Sequence, residues 1–277
     1  IQKACRAKEA LCGGAKVEVA HANVFGQGVS LVRCVACGFK FYDRTYMQPE
    51  AFYNSPANDD FAERSYMYGS QVIARQTDEQ APANKVFLVS YYGAVLDQVA
   101  HVLGRQPRTL YEVGCDWGAF LRVAHDRGIR ATGCDLNRRA AEIAQKRMGL
   151  DVAAGAFLAL DVPTEQDVVV LFDVIEHIPN PRDVMERVWG MLASGGIAAI
   201  KTFYDEYHQT VPLDLSPARH MDRGLKTTGY FDPTAHPCHF DLPVLRALMA
   251  RVGLNVVKET LDEVNGQVTL FVRRPAA

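Results

Sequence analysis

The sequence predicts an α/β fold whose mostly parallel sheet ends in one antiparallel hairpin and follows a small cysteine-containing module. From Thr109 onward, apolar strand-like runs alternate with helical runs, which is the pattern of a parallel sheet with crossover helices. The run Asp167–Phe172 (DVVVLF) is apolar enough for a strand buried on both faces. Near the C-terminus, Asn265-Gly266 separates two strand-like runs and predicts a hairpin turn.

The chain of 277 residues divides into three regions. Residues 1–54 contain short extended runs broken by glycine and cysteine, and we interpret them as a small module. Residues 55–107 begin with polar sequence and become helical, which is typical of a linker or lid. Residues 108–277 form the main domain, and an insert at about 203–240 follows its fifth strand.

Each expected element depends on apolar periodicity together with a turn or cap residue. Asn137 is expected to cap one helix and Asn180-Pro181 to open another, because Asn accepts amide hydrogen bonds and Pro suits the first helical turn. The expected strands are Lys16–Ala20, Val29–Arg33, Phe39–Tyr42, Leu110–Val113, Arg130–Cys134, Asp151–Ala153, Asp167–Phe172, Ile197–Thr202, Asn255–Glu259 and Gln267–Arg273. The expected helices are Val86–Leu103, Phe120–Asp126, Arg138–Met148, Pro181–Leu192 and Asp241–Val252, and Ser194-Gly195-Gly196 is expected to form a turn.

Composition disfavours a dedicated nucleic-acid binder. The formal net charge is -2 and no run of Lys or Arg is present, whereas such proteins usually carry a basic face. No apolar stretch approaches the roughly 18 residues of a membrane span, and we expect no signal peptide. These features favour a soluble, cytoplasmic protein that acts on a small molecule, and they leave its oligomeric state open.

The segment Glu112–Gly118 (EVGCDWG) predicts a strand running into a ligand-binding turn. Gly114 permits a sharp backbone turn and Gly118 lets the next helix begin close to a ligand. The nicotinamide fingerprint is absent, because Asp116 replaces its middle glycine. Glu112 favours a positively charged ligand, since phosphate prefers bare amides. The sulfonium and ammonium groups of S-adenosylmethionine fit, with Cys115, Asp116 and Trp117 as further contacts; a purely structural turn is the alternative.

A second motif, Gly133–Asn137 (GCDLN), predicts a nucleoside site. Asp135 stands at the end of the second strand, about twenty residues after the first turn, where an acidic residue binds ribose hydroxyls. Leu136 follows it as a further cofactor contact. The alternative is that Asp135 serves as a second helix cap beside Asn137.

The third motif is Leu171–Pro181 (LFDVIEHIPNP). With the two motifs above, it resembles the class I, Rossmann-like methyltransferases that act on small molecules in ubiquinone, sugar and natural-product biosynthesis. The resemblance covers roughly Thr109 to Arg273. It implies that Phe172 and Asp173 lie beside the methionine part of the cofactor and that the Glu-His pair ending in His177 faces the active site. Ala156 stands where the family often has an acidic residue, which leaves backbone amides and Phe157 as the expected adenine contacts.

Clustered cysteines predict a structural zinc ion. Cys34-x-x-Cys37 followed by glycine is half of a zinc knuckle. Cys12 and Cys5 are the candidates for the other two thiolates, although Glu9 occupies the regular first position. The arrangement resembles the zinc-binding N-terminal region of some sugar C-methyltransferases. A metal-free module with buried thiols, or a degraded site, is the alternative.

The acceptor pocket is expected in the loops after the strands, where Tyr and His can serve as acids or bases. His177 is the first candidate for a general base and His208 the second, with help from Tyr204 or Tyr207. His236 and His239 are candidate metal ligands without an obvious carboxylate. The aromatic residues Phe61, Tyr66 and Tyr68 are expected either to help close a lid or simply to pack on the core.

Two other functions are compatible with the motifs. Some ribosomal RNA guanine methyltransferases also combine a cysteine zinc module with this fold, although the acidic charge balance counts against RNA. A non-catalytic protein that retains the cofactor fold is the second alternative. Intact Glu112, Gly114, Gly118 and Asp135 favour cofactor binding but do not by themselves imply turnover.

Overall fold

The computed structural model describes residues 17–24, 28–43, 49–74, 83–204, 236–263 and 266–276. The predicted zinc ligands Cys5 and Cys12 and the predicted base His208, with Tyr207, lie outside these residues, as does Asn265 of the expected hairpin turn. Within them, no helix combines the length and the apolar character needed to cross a membrane.

The described elements follow the predicted order closely. The strands are β1 (Val17–His21), β2 (Leu31–Cys34), β3 (Lys40–Tyr42), β4 (Thr109–Val113), β5 (Arg130–Asp135), β6 (Asp151–Ala154), β7 (Gln166–Phe172), β8 (Leu192–Phe203), β9 (Cys238–His239), β10 (Asn255–Asp262) and β11 (Gln267–Arg273). The helices are α1 (Pro49–Tyr53), α2 (Pro56–Ala74), α3 (Ala83–Leu103), α4 (Ala119–Asp126), α5 (Arg138–Met148), α6 (Pro181–Met191) and α7 (Leu242–Arg251), with a 3₁₀ turn at Ile175–His177.

A seven-stranded sheet with the order β10-β11-β8-β7-β4-β5-β6 confirms the predicted α/β architecture. The pairs β4·β5, β4·β7 and β5·β6 are parallel. Strand β7 is buried at every position except Phe172, which is partly exposed, as its continuous apolar sequence predicts. Only a short loop joins the neighbouring strands β10 and β11, so they are antiparallel, because a parallel pair needs a longer crossover.

A second, four-stranded sheet has the order β1-β2-β3-β9. Its pairs are all antiparallel, and β3 pairs with β9 so that Lys40 lies opposite His239 and Phe41 opposite Cys238. The N-terminal module therefore shares its sheet with a segment at the end of the insert. Beside this sheet, a small core contains Val24, Val29, Leu31 and Tyr42, with Phe203 packed against it.

The chain forms two compact units. The first comprises Ile1–Gln48, Phe172–Trp189 and Ile200–Val272. The second comprises Pro49–Leu171, Gly190–Ala199 and Arg273–Ala277. The division into three regions by sequence remains a prediction, since these units follow spatial contacts and not continuous sequence.

One turn prediction is wrong. Ser194-Gly195-Gly196 lies within β8 and does not separate a helix from a later strand. Gly195 donates an amide hydrogen bond to the Arg274 carbonyl, and the Gly196 carbonyl accepts one from Arg274. The ladder therefore continues through the glycines, with a positive φ of 75° at Gly195, a conformation that glycine adopts without strain.

The predicted helix caps are well supported in the second unit. The Asn137 side chain accepts hydrogen bonds from the amides of Arg139 and Ala140 at the start of α5. Helix α4 begins differently: Gly118 precedes it with a φ of 86° and no side chain caps it. The start of α4 therefore has no side-chain cap, as expected where a helix meets a ligand.

Candidate cofactor site and metal-ligand cluster

The turn after β4 depends on glycine in two places. Gly114 has a φ of 71°, and its amide donates a hydrogen bond of 2.8 Å to the Cys134 carbonyl. Opposite Glu112, a Cβ on Gly133 would lie 2.6 Å from the Glu112 carbonyl oxygen. No side chain fits there without moving backbone, so the close approach of β4 and β5 requires Gly133.

The structure requires glycine at position 118 for two reasons. Its φ of 86° is left-handed, and an added Cβ would lie 2.4 Å from the Leu150 side chain. Leu150 is itself buried. Both predicted glycines of the turn therefore occupy positions that other residues would strain, as the motif indicates.

Asp135 links the two predicted motifs. One carboxylate oxygen accepts a hydrogen bond from the Asp116 amide at 2.7 Å, and the other accepts one from the Asn137 amide at 2.7 Å. Each oxygen keeps a further lone pair that can accept from a hydroxyl. Asn137, and not Asp135, makes the capping contacts of α5. The Asp135 carboxylate is thus fixed beside the turn, which suits the ribose-binding role predicted for it.

The carboxyls around the turn lie in an environment that disfavours their charged forms. Burial, and then the charge of Asp135, raises the pKa of Asp116 to about 7. Burial, and then the charges of Asp135 and Asp116, raises the pKa of Glu112 well above its ordinary value. One Glu112 oxygen is buried without a hydrogen-bond partner among the described residues. A cationic ligand would favour the ionised forms of all three groups.

Helix α2 contacts the same turn through a residue that the motifs did not indicate. The Ser65 hydroxyl accepts a 3.0 Å hydrogen bond from the Trp117 indole and donates one of 3.3 Å to the Asp116 carboxylate. The Tyr66 ring meets the Trp117 ring edge-on at 5.7 Å, whereas Phe61 is 60% exposed. Tyr66 therefore packs on the core, which is one of the two interpretations expected for it. The sequence does not indicate the role of Ser65, because a serine in a polar helix belongs to no recognisable motif.

The expected adenine contacts follow β6. The Gly155 amide donates a hydrogen bond of 2.8 Å to the Asp135 carbonyl, so this segment runs beside the end of β5. Phe157 is 5% exposed, and the Ala156 carbonyl accepts from the amides of Ala159 and Leu160. Their adenine contacts remain a prediction.

In the first unit, Asp173 follows β7 with a φ of 56°. Its carboxylate forms a 2.7 Å ion pair with Lys201 and accepts a 2.8 Å hydrogen bond from Gln267. The Lys201 ammonium also lies 5.9 Å from the centre of the Phe172 ring. Sequence reasoning missed Lys201 and Gln267, which come from β8 and β11 and have no motif around them.

The 3₁₀ turn after β7 groups one carboxyl with two imidazoles. Candidate ligand atoms of Glu176, His177 and His236 all lie within 4.8 Å of one another. Glu176 is 1% exposed, and both of its carboxyl oxygens are without a hydrogen-bond partner among the described residues. Burial, and then the charge of Asp173, raises the pKa of Glu176 to about 8.

The other predicted acid–base and metal residues are distributed as follows. Tyr204 is 6% exposed and its amide donates to the Gly266 carbonyl at 3.2 Å. His239 is fully buried in β9 with its ring 5.4 Å from the Tyr42 ring. It therefore does not join His236, whose ring instead lies 4.7 Å from His177.

Cys34 and Cys37 form the bend between β2 and β3. Cys34 is buried and Cys37 is partly exposed. The Gly38 amide donates to the Cys34 carbonyl at 2.9 Å, and Gly38 has a φ of 78°. This tight bend has the shape of half a knuckle, which fits the predicted zinc site, and the zinc ion itself remains a prediction.

Comparison with known proteins places the chain by sequence and by fold. The profile of the methyltransferase-domain family matches residues 88–259. A ubiquinone biosynthesis O-methyltransferase of Pseudomonas entomophila is 28% identical over 108 residues, which cover 36% of this chain and 45% of the relative. This chain thus spans about half the length, or less, of that curated relative.

Solved structures share the fold. The magnesium protoporphyrin IX methyltransferase ChlM of Synechocystis PCC 6803, solved with S-adenosylhomocysteine (SAH), gives a TM-score of 0.54 at 16% identity, covering 81% of this chain and 97% of ChlM. The plantazolicin methyltransferase BpumL, also solved with SAH, gives 0.55 at 11% identity, covering 82% and 93%. Because the family profile spans more than half of the sequence, the chain belongs to the methyltransferase-domain family.

Proposed function

We propose that the chain transfers a methyl group from S-adenosylmethionine to a small-molecule acceptor. The observation that carries the proposal is the glycine turn between β4 and α4, with the carboxyls of Glu112, Asp116 and Asp135 around it. The turn suits the donor's cationic groups, and the fixed Asp135 carboxylate suits its ribose. Membership of the methyltransferase-domain family supports the same activity.

The residues of the second unit fit this cofactor. The amides at the start of α4, which no side chain caps, and the Asp135 oxygens are hydrogen-bonding groups for a nucleoside. The orphaned Glu112 oxygen is an acceptor for an ammonium group. S-adenosylmethionine supplies a methyl group already activated as a sulfonium, so the protein mainly holds two reactants close and excludes water. Ser65, through Asp116 and Trp117, fixes the wall of this turn.

The acceptor is the less defined reactant. The curated relative acts in ubiquinone biosynthesis, and one structural neighbour methylates an amino pentose. We therefore propose phenols and sugars as the first acceptors to test, with transfer to oxygen or carbon. Where the acceptor must lose a proton, His177, His208 and Tyr204 are the candidate bases.

We also propose a structural zinc ion in the N-terminal module, with Cys34 and Cys37 as two of its thiolate ligands and Cys5 and Cys12 as the others. The support is the tight Cys34–Cys37 bend with Gly38 at its end. Elemental analysis of purified protein is expected to give about one equivalent of zinc that Cys34→Ser loses, in addition to any metal bound elsewhere in the chain. Zinc well below one equivalent would contradict this proposal and leave the methyl-transfer proposal intact.

Calorimetry tests the donor. Titration with SAH is expected to give one binding site per chain, and Glu112→Gln is expected to bind it at least about tenfold more weakly, since it loses a charge beside the ammonium group. Glu263→Gln, at an exposed position in another part of the chain, is the matched control. Absence of binding to both SAH and S-adenosylmethionine would reject the proposal.

Labelled S-adenosylmethionine tests the acceptor. Incubation with panels of phenols and sugars is expected to give a labelled product in at least one class. Cofactor binding without product from broad panels would instead support a non-catalytic protein that retains the fold.

A further inference from the structure

We propose that Glu176, His177 and His236 bind one divalent transition-metal ion of the zinc class. The three candidate ligand atoms lie within 4.8 Å of one another. The inference concerns a part of the chain separate in sequence from the cysteine module and goes beyond the methyl-transfer proposal.

The donor set has the right chemistry. Two imidazoles and one carboxylate are the ligands of many catalytic zinc and non-haem iron sites, which keep at least one position open. Ligand atoms each about 2.0–2.2 Å from one ion lie roughly 3–3.5 Å apart. The observed grouping therefore needs only small side-chain rotations to close on an ion. Mg²⁺ and Ca²⁺ prefer oxygen ligands, so two imidazoles favour a softer metal.

The buried Glu176 carboxyl is an independent indication of a ligand. It is 1% exposed, and neither oxygen forms a hydrogen bond of good geometry with the described residues, although Thr202 is close enough to oppose the rise of its pKa. Native proteins rarely leave a buried polar group unsatisfied, and such exceptions often mark an absent ion or water. A cation bonded to Glu176 would satisfy the carboxyl without any rearrangement of the 3₁₀ turn.

The fold holds both imidazoles in place. Glu176 and His177 are consecutive residues of the 3₁₀ turn directly after β7. The His236 ring lies 4.7 Å from the His177 ring and 5.7 Å from Phe203, which it meets nearly edge-on. His236 is therefore positioned by β8 on one side and by His177 on the other, although it comes from a distant part of the sequence.

The charge around the cluster also favours a dication. Asp173 lies close enough for its charge to act on Glu176, and Lys201 neutralises Asp173 through their 2.7 Å ion pair. With Asp173 neutralised, the groups left to balance the charge of an ion are the Glu176 carboxylate and two neutral imidazoles. A divalent ion would leave a net positive charge at the cluster, which suits an oxygen atom of an acceptor as the fourth ligand.

This assignment changes the role of His177. A ring nitrogen that binds a metal has no lone pair left to accept a proton, so His177 is then a ligand and the base must be another group. Tyr204, or the acceptor activated as an anion, would fill that role.

Cobalt spectroscopy of the full chain provides the test. Protein stripped with a chelator is titrated with Co²⁺, whose visible bands distinguish nitrogen and oxygen ligands from thiolates. We expect visible bands without thiolate charge transfer from this cluster, in addition to any thiolate bands from the cysteine module. His236→Gln and Glu176→Gln are expected to lose only the former, with affinity reduced at least about 100-fold, since even outer partners of metal ligands are worth 10–100-fold.

His125→Gln, at a side chain 62% exposed in the second unit, is the matched control and is expected to bind Co²⁺ like the unaltered protein. Two variants are used so that a folding defect in one of them does not decide the result. Circular dichroism checks that both variants are folded. Persistence in both variants of the bands assigned to nitrogen and oxygen ligands, or unaltered protein with the bands of the thiolate site alone, would overturn the proposal. SAH binding is measured in the same samples, so failure of the metal site and failure of cofactor binding are separable.

Discussion

The two units differ in how backbone groups hydrogen-bond a carboxyl of each candidate site. In the second unit, the Asp135 carboxylate accepts backbone hydrogen bonds from Asp116 and Asn137. In the first unit, the Glu176 carboxyl is more deeply buried than Asp135, yet both its oxygens are without partners among the described residues. Backbone hydrogen bonds thus hold the Asp135 carboxylate in place before any ligand binds, whereas the Glu176 carboxyl would gain its partner from a ligand.

The largest expected effect comes from a substitution that disturbs the backbone of β4 and β5 beside the glycine turn. In Gly133→Ala, the new Cβ would lie 2.6 Å from the Glu112 carbonyl oxygen, and β4 would have to separate from β5. We expect a loss of more than about 3 kcal/mol in the free energy of unfolding, together with loss of SAH binding. Urea unfolding and calorimetry measure the two effects.

Gly190→Ala is the control for that variant, because a Cβ there meets nothing within 4 Å. Gly190 lies in α6, so alanine is expected to stabilise the protein by about 0.5–1 kcal/mol. If Gly133→Ala were as stable as Gly190→Ala, the close approach of β4 and β5 would not be required for the fold.

A second pair of variants compares the two carboxyls directly. Asp135→Asn can accept only one of the two amide hydrogen bonds, so we expect a loss of about 1–3 kcal/mol in the free energy of unfolding. Glu176→Gln, in metal-free protein, removes no hydrogen bond of the described residues and is expected to change stability by less than about 1 kcal/mol.

Unfolding in chelator at neutral pH measures both variants. Equal losses would contradict the contrast between an organised and an incomplete site. Asp161→Asn, exposed in the loop between β6 and β7, gives the background effect of an amide substitution.

The last expected effect depends on pH and concerns Asp167, a carboxylate in the second unit. Its surroundings lower its pKa, whereas those of Asp116 raise the pKa of that group. Hydrogen bonds from Arg105, opposed by burial, lower the pKa of Asp167 to about 2, and the Arg108 amide donates a further 2.7 Å hydrogen bond. Because this pKa lies below the value of about 3.9 in the unfolded chain, the stabilisation is complete above pH 4 and is lost as the pH falls towards 2.

Asp167→Asn is therefore expected to cost about 2 kcal/mol at pH 7, with the difference from the unaltered protein narrowing below pH 4. Urea unfolding at pH 7, 4 and 3 measures it. A difference that widened on acidification would contradict the sign of the pKa shift.

Sequence reasoning was most successful where function depends on neighbouring residues in the chain. The positions of Gly114 and Gly118 follow from conformations that only glycine adopts easily. Asn137 follows from local capping chemistry. The continuous apolar run of β7 predicts its burial. Each of these signals is contained within a few consecutive residues, which is why the sheet and the glycine turn could be predicted.

It was least successful where residues meet through tertiary structure. His236 joins Glu176 and His177 although it lies about 60 residues further along the chain, near the end of the insert. Lys201 reaches Asp173 from another strand. Ser65 contacts the cofactor turn from a helix of polar character. Ser194-Gly195-Gly196 resembles a turn by composition, yet pairing with Arg274 holds it in a strand. Such partners have no local pattern in the sequence.

The pairing of β3 with β9 limits how this protein can be divided and recombined. A chain that started at Pro49 would leave the main-chain groups of Cys238 and His239 without their β3 partners. An unpaired strand edge attracts strands of other molecules, so such a truncation is a candidate for aggregation. If the N-terminal segment were exchanged between relatives, residues 236–240 would therefore have to be exchanged with it, although the two segments are far apart in the sequence.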